Sequence, residues 1–147
     1  HRLGAMNADA ARLAEVEKFL DTVAICPNQL GQIAALWGLR HLSQWVAGER
    51  AEILARRAAV ETGFGGLAGW RLRGCGAFFA YAEHPFALPA PDLARRLVAE
   101  AGVLLLPGTM FRPATDPAGA RELRIAFANL GLPGIAELLR RLAAFRC

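Results

Sequence analysis

The stretch PAPDLARRLVAEAGVLLLPG, residues 89–108, contains one complete helix-to-strand transition. Pro91 and Asp92 are start signals: proline loses nothing where the N–H has no helical partner, and aspartate favours the positive end of the helix dipole. Gly102 is the stop signal. VLLLPG is a short apolar run between glycines, which predicts a strand buried on both faces. Downstream, ARELRIAFAN (120–129) alternates with period two, a strand with Leu123, Ile125 and Phe127 turned inward. GLPGIAELLRRLAAFR (131–146) comes next as an amphipathic helix with Ile135, Leu138, Leu139 and Leu142 on its inner side. Upstream, GWRLRG (69–74) and GAFFAYAE (76–83) form an antiparallel pair of strands joined by a turn at Gly74 to Gly76. From Gly63 onward the order is β-β-α-β-β-α, a compact α+β unit with a mostly antiparallel sheet.

Gly63, Gly65, Gly66 and Gly69 separate this unit from a helical region before it. NQLGQIAALWGLRHLSQWVAGERAEILARRAAVE (28–61) is long for one globular helix, so it either bends between Gly38 and Ser43 or bridges two bodies. Cys26-Pro27-Asn28 ends an earlier helix, ADAARLAEVEKFLDTVA (8–24), for which Asn7 is the expected N-cap. HRLGAM (1–6) reads as the end of a strand with no partner strand close to it in the chain. Its Arg2 is by default a surface charge.

With a formal charge of +4, the balance of the 147-residue chain is basic, but sixteen arginines and a single lysine are spread over every segment. No block of like charges and no interleaving with aromatic residues supplies a base-stacking platform, so nucleic acid is not an expected partner. No apolar run reaches the roughly 18 residues a membrane-spanning helix requires. Cys26, Cys75 and Cys147 lie far apart with no CxxC pair, so no metal site is expected, and the thiols read as small buried or terminal groups.

Nucleophiles are scarce. The lone serine, Ser43, and His41 are two apart on a helical stretch and do not face one another. His84, beside Pro85, reads as a strand-end polar residue. Phe78, Phe79 and Tyr81 are core residues more readily than a pocket wall. Arg124 is different: it shares its strand face with Ala126 and Ala128 alone, so space remains around a guanidinium whose fork suits a carboxylate. On local pattern alone that face reads more readily as the solvated side of a sheet.

Five segments in order resemble the class I/II aminotransferases of the fold-type I pyridoxal phosphate enzymes. Arg2-Leu3-Gly4 is similar to the arginine, apolar residue and glycine that come after the family's S-x-x-K; PNQLGQIAALWGL carries Gln32, Ala34 and Ala35 of a family helix; GCGAFFAYAEHPF is similar to its G-x-F/Y strand. Gly102, Val103, Pro107, Gly108 and Phe111 stand on G-V-x-x-x-P-G-x-x-F, and LRIAFAN resembles the strand whose arginine pairs with the substrate α-carboxylate. The resemblance implies that Arg124 holds that carboxylate and that Arg2 holds the phosphate of pyridoxal 5'-phosphate. It implies no catalytic residue within this chain, because the Schiff-base lysine would lie about seven residues before His1, and Lys18, mid-helix with no serine three residues earlier, does not replace it. The implied organisation is a tail of the large cofactor domain (1–40), a bridging helix (41–61) and the small C-terminal domain (62–147). The implied whole is a cytoplasmic homodimer moving an amino group between an amino acid and a 2-oxo acid, with this chain a C-terminal piece that is inactive alone. Related fold-type I decarboxylases, synthases and lyases keep much of the pattern. A non-catalytic module binding an amino acid or carboxylate is the other open reading.

Overall fold

A computed structural model describes residues 3–147; the strand end expected at HRLGAM therefore falls partly outside the described residues, and Arg2 wholly so. The chain divides into two compact units, with the break between Gly48 and Glu49.

The first unit is helical. Residues 3–9 have no regular structure, so the expected strand end is not formed over Leu3–Met6; all strands of the described residues lie beyond residue 70, and a strand needs a partner. Helix α1 (Ala10–Val23) is capped by Asp9, which accepts from the Arg12 amide at 2.9 Å, and not by Asn7. Both residue types can cap, but the aspartate adds a negative charge at the helix's positive end. Asn28 caps α2 (Gln29–His41) by accepting from the Gly31 amide. The long helical stretch does bend, at Leu42 (φ −105°, ψ 20°), where α3 (Ser43–Gly65) takes over and runs past Glu61. Ser43 is thus a helix-start residue, while His41 packs against Trp37 with ring centroids 5.0 Å apart and planes tilted by 45°. Phe19, Ile33, Trp37 and Leu39 are all more than half exposed. No helix of the described residues is long and apolar enough to cross a membrane.

The second unit is the α+β body. Its sheet has the order β1-β2-β4-β3 with every pairing antiparallel: β1 (Arg71–Gly76), β2 (Phe79–Glu83), β3 (Leu106–Pro107) and β4 (Glu122–Ala126). The β1–β2 turn is the pair Ala77-Phe78, later than Gly74 to Gly76. Gly76 pairs with Phe79, so a two-residue hairpin loop closes there, and Ala77 adopts the positive φ (47°) that such loops require. Helix α4 (Ala90–Arg96) continues into one π-type turn over Leu97–Ala101 and stops at Gly102, which takes the left-handed conformation (φ 62°). The strand expected in VLLLPG is short and one-sided. Only Leu106–Pro107 pair, at the sheet edge against β4; in the irregular segment before them Val103 and Leu105 are buried and Leu104 is 77% exposed.

Helix α5 (Leu132–Ala144) turns Ile135, Leu138 and Leu142 into a core shared with Leu93, Leu97, Leu123, Ile125, Phe127, Val60 and Phe64. Two backbone segments cross closely at Gly108. A Cβ there would stand 2.8 Å from the Gly119 carbonyl oxygen and 2.9 Å from that of Glu122. Gly108→Ala should therefore destabilise the unit by about 1–3 kcal/mol, seen as a lower denaturation midpoint. An unchanged midpoint would show that the crossing yields.

His84, just past the end of β2, is 1% exposed, stacked on Phe86, with Nε2 3.3 Å from the Ala120 carbonyl oxygen and Nδ1 without a partner among the described residues. Burial pushes its pKa below the ordinary value. The folded state therefore binds this proton less readily than the unfolded chain. The stability due to the neutral ring is intact above about pH 6.5 and is lost as pH falls below it towards the folded pKa. Thermal melts across pH 7 to 5 should show a fall that His84→Gln diminishes; equal slopes in both proteins would contradict this.

Candidate functional site

Strand β4 sorts its side chains by alternation. Leu123, Ile125 and Phe127 are at most 1% exposed on the core side, which leaves Glu122, Arg124 and Ala126 on the other face. Register then brings neighbours to Arg124 that its own strand does not supply. Tyr81 on β2 pairs with it from one side and Leu106 on β3 from the other.

The space around the guanidinium, open when only Ala126 and Ala128 are considered, is lined by aromatic rings. Phe79 comes from β2, and Phe111 comes just after the short helical turn Gly108–Met110 that succeeds β3, on the opposite flank of β4. The Arg124 Cζ lies 4.4 Å from the Phe79 ring centre and 3.9 Å from that of Phe111. Such contacts attract a cation through the negative ring face and favour the planar guanidinium over an ammonium. Tyr81 meets Phe111 edge to face at 6.4 Å, and burial raises its phenol pKa. Among the described residues Arg124 has no hydrogen bond and no ion pair, and it is half-buried. A cation with its flanks against rings and its hydrogen-bonding capacity unspent can take a planar, two-oxygen anion in its own plane.

Beside it stands a second charged group. Glu122, 2% exposed, is held by Arg112, whose Nε and Nη2 donate to its two oxygens at 2.5 and 2.8 Å. The Arg112 Nη1 donates to Asp116 at 2.7 Å, and Asp116 also accepts from the Ala118 amide. These bonds raise the Arg112 pKa; the Ala118 amide first, then Arg112, hold the Asp116 carboxyl below its usual range.

The expected site residues thus fare differently. Arg124 stands on a half-open face, whereas Arg2 lies outside the described residues. Phe78 and Phe79 are 55% and 41% exposed, not core, since they occupy the hairpin turn and the outer sheet face. Cys26 is exposed and not buried, and Cys75 is a half-buried thiol whose pKa burial raises, the opposite of an activated nucleophile. Sequence reasoning missed Arg112 and Glu122 as a pair. Ten residues and a turn separate them, and no local spacing signals such a contact.

The family model for aminotransferase class I and II matches residues 1–142. Among curated proteins, the aminotransferase TdiD of Emericella nidulans is 29% identical over 160 residues, covering 99% of this chain and 36% of that protein. An aminotransferase from Mycobacterium tuberculosis superposes with a TM-score of 0.75 at 28% identity, over 92% of this chain and 35% of its own. LysN, an α-aminoadipate aminotransferase from Thermus thermophilus complexed with N-(5'-phosphopyridoxyl)-L-leucine, gives 0.75 at 26% identity with the same coverage. The chain spans about a third of the length of these relatives.

Proposed function

The chain belongs to the class I and II aminotransferase family, and from that premise we propose that it is the C-terminal part of a pyridoxal-phosphate-dependent aminotransferase in which Arg124 captures the substrate α-carboxylate. The observation that carries this is the state of Arg124: a half-buried guanidinium between two aromatic rings, without an anion among the described residues. Its position on the strand that resembles the family's carboxylate-binding strand supports the same role.

The residues fit the substrate end of such a site. A carboxylate received by Arg124 is held by two parallel, charge-assisted bonds, which fixes the orientation of the amino acid's α-carbon as well as its affinity. The rings exclude water from the flanks of that pair and strengthen it. Arg2 would hold the cofactor phosphate. The bound cofactor would supply the electron sink for chemistry at the α-carbon. The cofactor-bearing lysine would lie upstream of His1, so the chain alone would be inactive.

In this reading residues 1–40 finish a large cofactor domain, 41–61 bridge, and 62–147 form the small domain. The exposed Phe19, Ile33, Trp37 and Leu39 support the first of these, because an apolar surface of that kind is ordinarily covered. The whole would act as a cytoplasmic homodimer on an amino acid and a 2-oxo acid. Reading the coding DNA upstream of His1 tests the proposal. The expected result is S-x-x-K with its lysine about eight positions before Arg2, and an upstream frame without that lysine would overturn it.

A further inference from the structure

Glu122 and Arg124 are two apart on one strand face, about 7 Å between backbones, and a buried carboxylate is the natural partner of a neighbouring guanidinium. The two are not paired. Both Glu122 oxygens are occupied by Arg112, which is itself fixed by Asp116, and Asp116 in turn caps the short helical turn Pro117–Arg121 that leads into β4. Phe111, the residue before Arg112, is the ring lying closest over Arg124. One side chain thus removes the competing anion, and its neighbour in sequence covers the cation.

We propose that Arg112 is a positioning residue that keeps Arg124 free for the substrate carboxylate by sequestering Glu122, an inference resting on the role proposed above for Arg124. Without Arg112, Glu122 turns to Arg124, and the strand closes its own anion site with an internal ion pair. The incoming carboxylate must then displace a buried one. Charge alone does not perform the sequestration: the Arg112 fork occupies both oxygens at once, which a single ammonium does not do.

The test uses the complete protein labelled with ¹⁵N-arginine, with 3-phenylpropanoate as the carboxylate probe. In the wild type the Arg124 Nε–H resonance should shift saturably with the probe. In Arg112→Met it should be displaced in the same direction before any probe is added, and probe affinity should fall about tenfold or more. Arg112→Met/Glu122→Gln should return the probe-free resonance and bring affinity back to within about threefold. Arg112→Lys should give a smaller displacement of the same sign, and it serves if Arg112→Met does not fold. An Arg124 resonance unmoved by loss of Arg112, or one that stays displaced in the double variant, would overturn the sequestration. A wild-type resonance indifferent to the probe would instead sink the carboxylate role of Arg124, while the probe-free comparison still decides the pairing with Glu122.

Discussion

Arg124→Gln is expected to lower kcat/KM of the complete, cofactor-loaded protein for its amino acid by about 30- to 5,000-fold. The range comes from removing one partner of a buried, hydrogen-bonded charge pair, about 2–5 kcal/mol, at 1.36 kcal/mol per factor of ten. Arg124→Lys keeps the charge but loses the second parallel bond and the flat face that the Phe79 and Phe111 rings cover, so it should fall between the two. The loss should be specific. An amine with the same side chain but no carboxylate never forms the pair, so wild type and Arg124→Gln should treat it alike. Comparing the two substrates on both proteins checks this, and an equal loss for amine and amino acid would mean that Arg124 acts through the fold.

Phe127→Ala, one residue past the end of β4 and on its core side, should cost about 3–5 kcal/mol of stability. Phe127 is fully buried in the core cluster, and its amide donates to the Phe78 carbonyl, which ties the end of β4 to the hairpin. Set against a total of about 5–15 kcal/mol for a domain, that loss is visible as a large drop in the denaturant midpoint. Arg124→Gln removes only the cation–π contacts, about 0.5–2 kcal/mol, from the opposite face. The two sides of this segment should therefore separate the two effects: the inner side governs folding, and the outer side the proposed carboxylate capture. A Phe127→Ala midpoint close to wild type would show that the core closes over the gap.

Much of this was legible from the sequence where the signal is local. The alternation over Glu122–Phe127 sorts Arg124 from Leu123 and Ile125, Gly102 stops its helix, and Ile135, Leu138 and Leu142 mark one helix face, because each depends on backbone periodicity or a single residue's φ. What stayed hidden depends on contacts across the sheet. Leu104 looks buried in an apolar run, but pairing begins only at Leu106 and Leu104 stays on the exposed side of the irregular segment before it. Phe79 and Phe111 reach Arg124 only through the order β2-β4-β3, which no window of residues encodes. The Arg112–Glu122 pair depends on the turn over Pro117–Arg121, which brings the chain back beside Arg112. At Asp9 and Asn7 two capable caps compete, and only the charge of Asp9 at the helix's positive end separates them.

The most direct measurement is isotopic. The complete protein, loaded with pyridoxal phosphate, is incubated with a ¹⁵N-labelled amino acid and an unlabelled 2-oxo acid, and the products are tracked by mass. An aminotransferase places ¹⁵N in the amino acid that corresponds to the added 2-oxo acid, in step with conversion of the donor to its own 2-oxo acid, and that is the expected result. Donor consumed to an amine with release of carbon dioxide, or a donor left untouched, would contradict it.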